Sequence, residues 1–183
     1  MKFFKHTILA IALIGVAGFL SSCGKEETNT TSLVSQNALI ESFIKTAKLT
    51  DSVSKSGDLW SYRFKKGTEV KIQEGDKVTL YYILSVVTAE NGSIYLKPFA
   101  TNIETVAKAK GLQNPFAKYE PITVVVGNSG LPKGFDLGIR TLYDGDGAQL
   151  LFPSTYAYGG SAIGAVPANS SIGVRVYISK VDR

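Results

Sequence analysis

Apolar residues along this chain follow three successive patterns. From Thr7 to Leu20, TILAIALIGVAGFL runs without a charge. It falls short of the ~20 apolar residues that a membrane-crossing helix needs. In SQNALIESFIKTAKLTD, Leu39, Phe43 and Ala47 recur four residues apart, as do Ile40 and Ile44. That spacing predicts an amphipathic helix whose apolar stripe docks on the chain's own domain. From Asp58 the period drops to two. DLWSYRFKKGTEVKI predicts two short strands turned into a hairpin at Lys66-Gly67, GDKVTLYYILSVV a long strand, and Asn91-Gly92-Ser93 a turn after it. ETVAKAKGL predicts a short helix with Gly111 as its C-cap, and PITVVVG a buried strand. Phe135, Ile139 and Leu142 then share one helical face. AQLLFP and SIGVRVYISKV close the pattern as strands. The last points Ile172, Val174, Val176 and Ile178 one way and Gly173, Arg175, Tyr177 and Ser179 the other. The sum is an α+β domain: an antiparallel sheet with one short helix late in the chain and a helical extension ahead of it.

Composition narrows the chemistry. The chain's 183 residues suit one domain with appendages, and 44% are hydrophobic, enough for a sizeable core. Its only histidine is His6 and its only cysteine Cys23. A His-based triad, a Cys-His pair or a Cys/His zinc site is therefore excluded downstream, and the sequence calls for no metal and no cofactor. DGDG at Asp144–Gly147 lacks the later ligands and closing Glu of a calcium loop, and reads as a tight turn. GGSAIG has no histidine to activate its serine.

The basic start MKFFKH followed by the charge-free run reads as a signal peptide, residues 1–22. LSSC, Leu20–Cys23, resembles the bacterial lipobox, which implies cleavage before Cys23 and acylation of its thiol; the alternative is a free cysteine beyond an ordinary signal. Residues 23–32 then form an acylated, flexible tether, 33–66 a helix and hairpin extension, and 67–183 the main domain. Without Lys2 and Lys5 the balance is 18 basic to 15 acidic side chains, scattered rather than clustered, so nucleic acid is not an expected partner. GKEE, directly after Cys23, resembles a surface-export signal of one group of diderm bacteria and reads equally as a solvated tether. The expected location is the bacterial envelope, lipid-anchored to a membrane, most simply the outer one, on its periplasmic or surface face.

The stretch GFDLGIRTLYDGDGAQLLFPSTYAYGGSAIGAVPANSSIGVRVYISKV, with GDKVTLYYILSVV and PITVVVG upstream, resembles the FKBP-type peptidyl-prolyl isomerases over roughly Gly67 to Val181. The combination of Gly-Phe, Ala-Tyr-Gly and Val-Pro at these spacings carries the likeness. It implies a curved antiparallel sheet wrapped on a short helix, with a long loop overhanging an apolar pocket. It implies Tyr158, Phe135, Tyr82 and Phe99 at the reacting bond: Phe135 as floor in place of the family's usual tryptophan, and Tyr158 as a wall with a donor hydroxyl. Read as a residue alone, Tyr158 is equally a core tyrosine with a satisfied hydroxyl. Ile122, Val124, Leu131, Pro132, Ala157, Val166 and Val174 complete the implied substrate pocket, with Val166 as the opposite lip. Gly159 and Gly160 are expected to turn the backbone there.

Such a pocket suits a protein with little acid–base equipment. An X-Pro amide rotates over a barrier of ~18–20 kcal/mol set by lost resonance, and no bond breaks. The twisted amide is less charge-separated than the planar one, so an apolar site favours it. Four departures from the family stand out. Ile122, Val124 and Val174 replace positions that are often aromatic, and about a dozen extra residues between Phe99 and Pro121 either rim the pocket or pack nearby. The other two remove polar contacts. Ala100 takes the place of an expected Asp in FATN, and a second register at Tyr95-Leu96 also lacks it. Pro132 stands where the family offers a backbone N–H. The expectation is a monomeric, lipid-anchored isomerase acting on proline-containing polypeptides of the envelope. The alternatives are a catalytically weak peptide-binding module on the same pocket, or a structural component of an envelope complex.

Overall fold

A computed structural model of the chain describes residues 27–183. The expected signal peptide, Cys23 and the residues up to Glu26 lie outside that range. The described elements are α1 (Glu27–Thr46), β1 (Ser54–Ser56), β2 (Leu59–Lys65), β3 (Lys77–Glu90), β4 (Ser93–Thr101), α2 (Glu104–Lys110), β5 (Ile122–Val125), α3 (Lys133–Ile139), β6 (Gly147–Phe152) and β7 (Ile172–Asp182). A single 3₁₀ turn follows β6 at Ser154–Tyr156. No described helix is long and apolar enough to cross a membrane.

All seven strands join one antiparallel sheet in the order β1-β2-β6-β7-β3-β4, with β5 also on β3. β3 is its spine. One edge pairs with β7 from Lys77 to Val86, while the other pairs with β5 over Lys77–Leu80 and then β4 over Ile83–Glu90. Alternation along the strands divides the side chains between two faces. Val78, Leu80, Leu84, Leu150, Phe152, Val174 and Val176 line the concave face, against Phe135, Ile139 and Leu142, all fully or nearly fully buried. Gly134 and Gly138 let α3 sit this close. A Cβ on either would stand 2.4 Å from the side chain of Phe152 or Leu150, inside any real contact distance.

The convex face is apolar too. Ile40 and Ile44 of α1 bury Trp60, Val87 and Leu151 there, flanked by Leu39, Phe43, Leu49, Ile94 and Leu96. This second cover explains why every residue of β6 is buried. The helix closes as the sequence suggests only in part: it stops at Thr46, short of Asp51. Lys48 takes a left-handed φ of 56°, and the N–H groups of Lys48 and Leu49 bond back to the carbonyls of Lys45 and Ile44. Those are the two bonds of a Schellman closure. At its other end the helix begins at Glu27, so residues 27–32, expected as tether, are helical backbone; once a stripe is docked, each further residue adds a bond at little cost.

Two other expectations are corrected. The hairpin turns at Gly57-Asp58, joining β1 to β2, and not at Lys66-Gly67. β2 pairs instead with the distant β6, so a strand of the 33–66 segment belongs to the main sheet. The strand in PITVVVG lies on an edge: Val124 is buried, but Val125 is 39% exposed.

Candidate active site

Four aromatic rings from four parts of the chain meet over α3. Phe135, on its first turn, is wholly buried. Tyr82 from β3 stands edge-on to it, centroids 6.1 Å apart. Phe99 from β4 meets Tyr158 in the same manner at 6.3 Å. Phe99 reaches this face through a β-bulge: Leu84 pairs with Ala100 and Ser85 with Pro98, leaving Phe99 as the extra residue. Bulges re-aim side chains in this way. Val124 and Val174 are buried beneath, and Ile122, Leu131 and Ala157 pack partly buried around the rim. Ala100 joins the same cluster, so no carboxylate stands at its position. Pro132 is the N-cap of α3, with φ −52°. Its carbonyl accepts the N–H groups of Phe135 and Asp136 at 2.9 and 3.1 Å. It brings no donor of its own to the rim.

One implied residue is placed differently. Val166 is only 2% exposed and packs into the core cluster. Paired bonds of 2.9 Å between Ile163 and Val166 fold the loop back on itself. That leaves Ile163, 51% exposed, as the apolar residue at the tip. Gly159 turns with φ 62°, the left-handed region that favours glycine, although nothing crowds its missing Cβ; Gly160 has no such φ. The segment around α2 does not rim the pocket. Val106 lines a groove with Phe43, Ile83 and Arg175, on the convex side of β3.

Polar groups outside the pocket hold its walls. Asn102, buried, fills the gap where β3 changes partner from β5 to β4. Its Oδ1 accepts the Tyr82 N–H at 2.7 Å, and its Nδ2 donates to the carbonyls of Leu80 and Glu120 at 3.1 and 3.0 Å. Thr101 donates its hydroxyl to the Tyr82 carbonyl at 2.6 Å. Both backbone groups of Tyr82 are thus fixed by side chains. On α3, Asp136 accepts the Gly127 N–H and two bonds from Arg140, which also reaches Glu74. Burial alone would raise this carboxyl, but hydrogen bonds from Ser129, Gly127 and Arg140 outweigh it and hold the group below its ordinary 3.8. Asp136 and Arg140 were legible as an i, i+4 helix pair. Asn102 carries no local signal, because all its partners are at least 18 residues away.

The Tyr82 and Tyr158 phenols are half-buried, and burial lifts both above the ordinary 10.0; Tyr82 adds a smaller upward push on Tyr158. Both hydroxyls therefore stay protonated at neutral pH. Neither bonds to another described residue, so the hydroxyl of Tyr158 is available as a donor. Among the described residues named as its walls, none is ionised. The site offers an apolar floor, four ring surfaces and a free phenolic donor: the equipment to bind a prolyl side chain and favour a twisted, less polar amide.

The family model for FKBP-type peptidyl-prolyl cis-trans isomerases matches residues 68–176, and the chain belongs to that family. A short-type peptidyl-prolyl cis-trans isomerase of Methanocaldococcus jannaschii is 34% identical over 88 residues, 48% of this chain and 51% of that protein. The FK506-binding protein 4 of Chaetomium thermophilum is 31% identical over 108 residues, 59% of this chain and 18% of that one. The chain thus spans about half the length of the first of these curated relatives and less of the second. In fold it resembles FkpA from Escherichia coli, with TM-score 0.58, 16% identity, and coverage of 85% of this chain and 63% of that one. It also resembles a peptidyl-prolyl cis-trans isomerase of Pseudomonas syringae, with TM-score 0.57, 15% identity, and coverage of 85% and 96%.

Proposed function

We propose that this chain is a peptidyl-prolyl cis-trans isomerase, anchored by an acylated Cys23 and acting on proline-containing segments of envelope or surface proteins. The observation that carries the catalytic reading is the ring of Tyr82, Phe99 and Tyr158 over the buried Phe135, in a chain of the FKBP family. The test is prolyl isomerisation by the purified chain on a short X-Pro peptide. Acceleration over the uncatalysed rate supports the proposal, and its absence in a folded protein refutes it.

A second reading is favoured by two particular residues. Ala100 supplies no carboxylate and Pro132 no N–H, so the pocket has fewer polar contacts for a twisting amide than the family pattern implies. On this reading the chain binds prolyl segments and isomerises them weakly. Peptide affinity without rate acceleration would select it.

The anchor rests on LSSC after the charge-free run, and two or three acyl chains hold a protein stably, at ~0.8 kcal/mol per buried CH₂. Membrane fractionation of Cys23→Ala tests it: release or failed processing is expected, and normal processing with membrane retention would refute it. The face of the membrane is read by protease shaving of intact cells carrying wild type or Lys25-Glu26-Glu27 replaced by alanines. Loss of surface cleavage in the variant alone identifies an export signal; protection of both places the chain on the periplasmic side.

A further inference from the structure

The pocket does not end at Phe99. β3 loses its β7 partner after Val86, which pairs with Ile172. It runs on to Glu90, turns at Asn91-Gly92 and returns through β4 as a two-stranded ribbon. The ribbon's concave side carries Val86 opposite Lys97, and Thr88 one step further out. Facing it is the tip of the loop between β6 and β7, with Ala165 and Pro167. Between the two walls runs a groove of about 310 Å³, also lined by Pro98 and Phe99. Phe99 is therefore shared: one neighbour is Tyr158 in the pocket, and the other is this groove.

Both walls are held by α1. A free two-stranded ribbon is marginally stable in water. Here Leu39 and Phe43 pack with Ile94 and Leu96 on its outer side. At the opposite wall, Gln36 accepts the Ser154 N–H through its Oε1 at 2.6 Å, at the root of the loop that carries Tyr158. Its carbonyl accepts the Ser171 hydroxyl at 3.4 Å, where β7 begins. One helix thus sets the ribbon and the loop root against each other. The groove's two charged residues, Glu90 and Lys97, lie 3.6 Å apart and neutralise one another.

We propose that this groove is an extended subsite for the client chain. Resting on the isomerase reading, it receives residues flanking the X-Pro bond as an extended, uncharged segment with an apolar side chain beside Phe99. Continuity through Phe99 makes the client itself the occupant, and the internally paired charges leave no net field to recruit a charged ligand. The apolar lining next to Phe99, from Val86, Pro98, Ala165 and Pro167, selects leucine-like side chains over charged ones.

The test compares two substrates and two proteins. One peptide is a tetrapeptide that fills only the pocket. The other is a labelled dodecapeptide with the same X-Pro core and leucines on both sides. The proteins are the full chain and Thr88→Arg, a substitution on the surface of the ribbon that projects into the groove. Isomerisation is measured for both peptides, and affinity for the labelled one by fluorescence anisotropy. The expected result is that wild type binds the long peptide about tenfold more tightly than the short one competes for it, and that Thr88→Arg removes this advantage while tetrapeptide turnover stays within about twofold. Equal affinities for the two peptides in wild type, or an unchanged long-peptide affinity in Thr88→Arg, would overturn the subsite. Failure of the isomerase reading appears separately, as absent turnover of both peptides, and the affinity comparison then still decides the groove.

Discussion

The sheet carries an apolar cluster on each face, and each is covered by a helix, yet only on the concave face do four aromatic rings stand together at the helix's edge. α1 has 20 residues and lies across the convex face, where Ile40, Ile44, Trp60, Val87 and Leu151 are buried. α3 has 7 residues, and beyond its ends Tyr82, Phe99, Ile122, Leu131 and Tyr158 stay partly exposed on the concave face. At 1.5 Å per residue the two helices are about 30 and about 10 Å long. A helix that short cannot roof a curved sheet of this size. The pocket is therefore the part of the core that α3 leaves uncovered, lined with rings wide enough to make a site of it. The convex face builds stability and holds the ribbon and loop in place; the concave face does that and also carries the pocket.

This division can be broken most forcefully at Phe135. Phe135→Ala removes a fully buried ring that is core and pocket floor at once. Stability should fall by ~3–5 kcal/mol, and turnover per folded molecule should collapse with it. A denaturant titration alongside the peptide assay reads both; retained turnover would place the floor elsewhere. Ile40→Ala is the counterpart on the other face. It should cost ~2–4 kcal/mol of stability while the folded fraction keeps its tetrapeptide turnover. Equal losses of turnover in the two variants would erase the distinction between the faces.

Asn102→Ala sharpens the comparison, because this side chain joins the spine strand to the pocket wall. It leaves the Tyr82 N–H and the carbonyls of Leu80 and Glu120 without their partner, at ~1–3 kcal/mol. Turnover should fall even where the protein remains folded, because Tyr82 is no longer held; a loss of stability alone would make Asn102 a purely structural strap. The smallest effect concerns Asp136. Its carboxyl is held below 3.8, so its contribution is fully present above the unfolded value and fades as pH falls through the lower folded one. Melting temperatures of wild type and Asp136→Asn should differ at neutral pH and converge in acid. A gap that widens on acidification would reverse the sign of this assignment.

Much of the concave face was readable from local pattern. Phe135 and Ile139 within α3 and the alternation of β7 are periodic signals inside single elements; Leu142, expected on the same helical face, lies in the turn beyond α3, and all of these apolar residues are buried. The Asn91-Gly92 turn was equally local, with both residues at positive φ. What escaped depends on partners far along the chain. Two turn signals, Gly57-Asp58 and Lys66-Gly67, flank β2, and nothing nearby says that its second edge pairs with β6. The resemblance implied Val166 as a lip, but beside the Ile163–Val166 pairing its side chain is buried in the core cluster. The bulge that aims Phe99 is a register shift between two strands, invisible in either strand alone.

The central claim is that the ring of aromatics over Phe135 is a catalytic pocket, and Tyr158 isolates it best, since removing its hydroxyl leaves the packing in place. The deciding measurement is kcat/KM for a short X-Pro peptide in wild type and Tyr158→Phe, both shown by circular dichroism to be folded. The account predicts acceleration by wild type and a loss of ~0.5–1.5 kcal/mol of transition-state stabilisation in the variant, about two- to tenfold in rate. A folded wild type that leaves the uncatalysed rate unchanged would contradict it.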